Sequence, residues 1–175
     1  MIQKMIKNYN GITLVELVAA IALLGVISIL TYSVLFTGIK ANERIMEESK
    51  LRDEADYIMT HFIEVFFTLK DSQIDRVNSF YDEPDSNGNY YIRLKTGEKI
   101  GFYNGKVLIK DEAIKLLNDD IKLGKNSKIE TTLNSEGDKS INRFKITLVV
   151  ESKKTDQNLE LESIFDVFKV REEGE

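Results

Sequence analysis

Glu16 is the residue in the N-terminal region whose position most needs a chemical reason. It lies in the stretch NGITLVELVAAIALLGVISIL at 10–30, where it is the only charge from Ile12 onward. A charge at mid-membrane costs about 2.5–3.5 kcal/mol on insertion scales, less near the interface, and such residues usually have a partner. Gly11 stands just ahead of the apolar run. Suppose the chain is cut after Gly11. Ile12 then bears a free α-amino group, a positive charge at the membrane boundary. Glu16 lies one helical turn further on. It would neutralise that charge in its own chain or in a neighbouring helix packed with a stagger, since a buried charge is tolerated when paired.

Chemistry-bearing residues are sparse elsewhere. In YDEPDSNGNY at 81–90, Glu83, Asp85 and Asn87 precede Gly88 at spacings that partly match a calcium loop. The closing bidentate acid of an EF-hand would fall at Leu94, so that motif fails. A solvated Asp/Asn/Gly turn is the ordinary reading. His61 is the single histidine, with no second one to share a metal, and it reads as a surface or boundary residue. With no cysteine, disulfides, thiolate chemistry and cysteine-built zinc sites are excluded. There is no Ser-His-acid set, glycine-rich phosphate loop or zinc-ligand cluster, so neither an enzyme nor a cofactor is expected. Acid pairs such as Asp119 and Asp120 read as solvated charge. The 29 acids outnumber the 24 bases, giving a net charge of −5, which argues against non-specific nucleic-acid binding.

The elements that must carry these residues begin with the apolar run. After Glu16 the next charge is Lys40, so 12–39 exceeds the roughly 20 residues needed to cross a bilayer. Lys4 and Lys7 precede it and place the N-terminus in the cytoplasm. A cleaved signal peptide would have a shorter apolar region ending in small residues. An ordinary single-pass anchor explains the length and the lysines but leaves Glu16 unexplained. KANERIMEESK at 40–50 reads as the helix leaving the bilayer. Leu51, Ala55, Ile58, Met59, Phe62, Phe66 and Leu69 then recur at steps of three and four, an apolar stripe facing a core. One helix from about 12 to about 69 is expected.

Beyond Asp71 the period becomes alternating. Strands are expected at 90–95, 99–103 and 106–110, joined by a TGE turn and by Asn104-Gly105, a strong hairpin signal. An apolar connector follows at 113–117, then a strand at 128–133 and a loop at 134–140. A further strand carries Phe144, Ile146, Leu148 and Val150. After a loop at 152–158 comes a last strand at 159–170, whose apolar phase slips near Ser163 as a bulge would make it. Helix first, then about six strands, predicts an α+β domain with an antiparallel sheet packed on the C-terminal part of the helix. A chain of 175 residues suits one such domain.

GITLVE at 11–16, with a short basic leader before it and an apolar helix after it, resembles the cleavage and methylation motif of type IV prepilins and pseudopilins. The resemblance covers 1–30. It implies that a membrane aspartic peptidase, the prepilin peptidase, cuts after Gly11 and methylates the new N-terminus at Ile12, where the family more often has phenylalanine. It implies that Glu16 guides each subunit into the growing filament. Many members have a mid-helix proline where this chain has Ser33. The only proline here is Pro84, and Gly25 and Gly38 offer local weakness instead. For Gly25, close helix packing in the membrane is the other reading. The implied plan is a leader at 1–11, a transmembrane and filament-core helix at 12–39, and an extracytoplasmic pilin-like domain at 40–175. The implied partners are the prepilin peptidase, other pilin or pseudopilin subunits, the membrane and an assembly platform protein. Such a protein sits in the cell membrane and then in a filament at the cell surface. The strand spacing is more similar to a minor than to a major subunit. Pili, competence pseudopili and type II secretion all use this plan. A single-pass anchored extracytoplasmic binding protein is the alternative.

Overall fold

The computed structural model describes residues 12–133 and 139–168. The chain divides into two compact units, Met1–Ile45 and Met46–Glu175. Helix α1, Leu14–Thr68, runs through both, in agreement with the span read from the sequence.

In the first unit no described residue is buried. The helix is unbroken at Gly25, Ser33 and Gly38. A Cβ added at either glycine meets nothing within 4 Å, so no packing within the chain requires them. The hydroxyls of Ser28, Thr31 and Thr37 donate to carbonyls one turn back, at 2.7, 2.9 and 2.9 Å. These three hydroxyls thereby find an acceptor without water, which a hydrocarbon environment demands.

In the second unit, strands β1 (Ile74–Phe80), β2 (Tyr90–Leu94), β3 (Lys99–Tyr103), β4 (Lys106–Ile109) and β5 (Glu112–Ala113) form one sheet in that order. A second sheet is built on the long β8 (Lys139–Ser152). The strands β6 (Ile121–Leu123) and β7 (Lys128–Leu133) lie along one edge of β8, and β9 (Asn158–Asp166) takes the other. All pairings between these strands are antiparallel. The turn at Asn104 and Gly105 has positive φ at both residues (50° and 71°), as a two-residue hairpin requires.

The helix stripe reaches both sheets. Leu51, Ala55, Ile58, Met59, Phe62, Phe66 and Leu69 are all buried. Phe62 packs edge-on against Phe102 of β3 at 5.6 Å, and Phe66 stacks on Phe165 of β9 at 4.8 Å. Ile92, Ile100, Ile129, Ile146 and Leu148 complete the core. The two sheets close on each other at Gly101. There a Cβ would stand 2.5 Å from the Tyr90 carbonyl oxygen and 2.9 Å from Ile129, and φ is +141°, so only glycine fits. The result is an α+β arrangement consistent with a pilin fold.

The number of sheets and strands differs from expectation: nine described strands in two sheets, against about six in one. The segment IDRVNSF of β1 fully buries only Ile74, so it shows no alternation to read. The bulge expected at Ser163 is absent. Register runs unbroken from Arg143 opposite Asp166 to Glu151 opposite Asn158. Ser163 occupies an inward position opposite Ile146, while Ile164 points out and is exposed. A small polar residue inside and an apolar one outside imitate a phase slip. β8 begins at Lys139, inside the expected loop, and 134–138 lie outside the described residues.

Candidate processing and assembly site

The site is built at the start of α1. Thr13 precedes the first helical residue, Leu14, and Glu16 is the third. The Thr13 N–H and hydroxyl both donate to Glu16 Oε2 at 2.9 Å, and the Glu16 N–H donates to Thr13 Oγ1 at 3.2 Å. This is a capping box, which satisfies orphan amides at a helix N-terminus reciprocally. Reasoning from the sequence gives Glu16 the Ile12 amine as its partner and misses Thr13. The signal is present in TLVE at 13–16, a Thr-x-x-Glu ahead of an apolar run.

Three consequences follow. The helix stops short of Ile12, which is non-helical and 78% exposed. The carboxylate already has two donors within its own chain, so it is not an unpartnered acid at the membrane boundary. Thr13 and Glu16 both lie after the expected cut, so removal of a leader leaves their mutual bonds in place. Gly11 lies outside the described residues.

The other candidates sit in the second unit. His61 is half-buried, edge-on to Tyr57 at 4.8 Å, with Nδ1 3.8 Å from Glu64 and Nε2 without a partner among the described residues. Asp85 closes its own loop: Oδ1 accepts the N–H groups of Asn87 and Asn89, both at 2.9 Å, and Oδ2 accepts the Asn89 side-chain amide at 3.0 Å. Asn87 thus meets Asp85 through its backbone, and Glu83 is exposed. Among the described residues no group of three or more His, Cys, Asp or Glu is placed to hold a metal.

Two acids that the stripe did not include are buried on α1. Glu54, 1% exposed, accepts the consecutive N–H groups of Leu117 and Asn118 at 3.0 Å each and fastens the β5–β6 connection to the helix. Glu47 accepts the Ser152 hydroxyl at the end of β8. That bond, against the opposing effect of burial and with help from Lys50, holds its carboxyl below the usual range. Counting back by fours and sevens from the core position Ile58 would have found both acids: 47, 51, 54 and 58 share one face.

A helix long and apolar enough to cross a membrane, near the N-terminus and ahead of an α+β unit, is consistent with a membrane-anchored single-pass protein. Residues 6–32 match the family model of the prokaryotic N-terminal methylation motif, a match that spans the capping box and most of the apolar run and supports the type IV prepilin and pseudopilin family. Comparison with curated proteins and with solved structures gives no match.

Proposed function

We propose that this chain is a structural subunit of a type IV pilus or related pseudopilus, and a minor one. The observation that carries the reading is the methylation motif at 6–32 coinciding with a Glu16 carboxylate fixed at the start of an exposed apolar helix. The motif is that of structural pilins and belongs to no enzyme class. In this reading the leader at 1–11 is removed after Gly11 by the prepilin peptidase, which methylates Ile12. The helix at 12–39 anchors the subunit and then enters the filament core among other subunits, delivered by the assembly platform. The domain at 40–175 lies outside the cytoplasm. Glu16 meets the Ile12 amine of a neighbouring subunit and sets the axial stagger.

Processing is tested by Gly11→Val. A branched side chain at the scissile position obstructs close approach of the peptidase to the backbone. The variant is expected to keep its leader, remain in the membrane and stay out of filaments. Normal filament incorporation of Gly11→Val would contradict the proposal.

A further inference from the structure

The second unit holds a cleft lined by residues of its loops and strands. Its volume is about 500 Å³, within the range of small-ligand sites. Three turns meet around it: the loop at 85–89, the β3–β4 turn at Asn104 and Gly105, and the β6–β7 turn at 124–127. Buried polar side chains hold all three. Asn89, 5% exposed, accepts the Asn104 N–H at 2.7 Å and donates to Asp85 at 3.0 Å, tying the first turn to the second. Ser127 is also buried, and its hydroxyl bonds both the N–H and the carbonyl of Val149, at 3.0 and 3.2 Å. Gly124 lies so close to β8 that a Cβ would stand 2.6 Å from Val149 Cγ1. Connecting turns are ordinarily the mobile part of a domain. Here they are fixed in place, which lowers the ordering cost of binding.

The rim is chemically one-sided. The side chains of Asn87, Asn104 and Lys125 are exposed and have no partner among the described residues. Among the described residues no Asp or Glu lines the cleft, although acids exceed bases 29 to 24 in the chain. The carboxylate of Glu151, which lies behind Gly124, is already paired with Lys122 at 3.0 Å. A carboxamide offers two donors and an acceptor on one plane, which suits paired hydroxyls on a sugar ring. The Lys125 ammonium, which forms no ion pair among the described residues, favours a carboxylate. Half-buried Leu123 gives an apolar wall for a C–H face. We infer that this cleft binds a short acidic saccharide, with ring hydroxyls on Asn87 and Asn104 and the sugar carboxylate on Lys125.

The test is calorimetric titration of the full chain in detergent micelles with trigalacturonate and with neutral maltotriose. Saturable binding of trigalacturonate is expected, with maltotriose at least tenfold weaker. Lys125→Gln should weaken trigalacturonate binding at least tenfold, and Asn87→Ala at least threefold. Both positions are exposed, and unchanged circular dichroism confirms that the variants fold. Absence of saturable binding, equal affinity for the two sugars, or wild-type affinity in Lys125→Gln would overturn the inference. Filament entry is not part of the readout, so the result stands apart from the assembly reading.

Discussion

At the scale of single residues, Glu16 is already engaged within its own chain. Thr13 supplies two donors to Oε2; in the proposed filament a neighbouring amine adds a charge–charge attraction. Opposite charges at about 4 Å gain roughly 4 kcal/mol at an effective dielectric of 20, before desolvation is subtracted. Glu16→Gln separates these contributions, because the amide oxygen still accepts the Thr13 N–H while the charge is gone. The variant is expected to be cleaved and inserted like wild type and to enter filaments poorly, read by immunoblotting of sheared filaments. Wild-type incorporation would show that charge pairing is not its purpose. Thr13→Val acts on the other half of the box. Losing the hydroxyl should destabilise the first turn by about 1 kcal/mol, seen as roughly fivefold faster amide exchange at 14–17 in micelles. Thr13→Ser should restore protection.

At the scale of elements, the sequence is most legible where one physical pattern dominates. The helix stripe from Leu51 to Leu69 is readable because every third or fourth side chain is buried, and the Asn104-Gly105 hairpin because its backbone needs positive φ twice. β1 is hidden because one buried residue in seven leaves no period, and β6 because three residues are too few to show one. At the N-terminal site Gly11, Ile12 and Glu16 stand out by type and setting, whereas Thr13 shows its part only when TLVE at 13–16 is taken as a capping box. Glu54 escapes because burial of a carboxylate contradicts the ordinary expectation for charge, and only the tertiary fold brings two consecutive N–H groups to it. That arrangement is testable. Glu54→Gln replaces one acceptor with a donor facing an N–H, and should cost about 1–3 kcal/mol in urea unfolding. Exposed Asp53→Asn, one position away, should stay within about 0.5 kcal/mol. Equal stability of the two variants would remove Glu54 from its fastening role.

At the scale of the whole molecule, charge sets the response to acid. Glu47 is held below the usual carboxylate range by Ser152, Asp120 by Lys154 and Glu162 by Lys145. A depressed carboxyl contributes stability that is present above its unfolded pKa and is lost as pH falls through the folded one. Tm should therefore be flat from pH 7 to about 5 and should fall below about pH 4, as followed by circular dichroism. A Tm that rises on acidification would contradict these assignments.

In the proposed reading the whole chain is processed into a filament subunit, and mass spectrometry of the native N-terminus of the mature protein decides this. The expected result is a chain that begins at Ile12 and carries one methyl group on its α-amine. A mature protein that retains the leader from Met1 would contradict it.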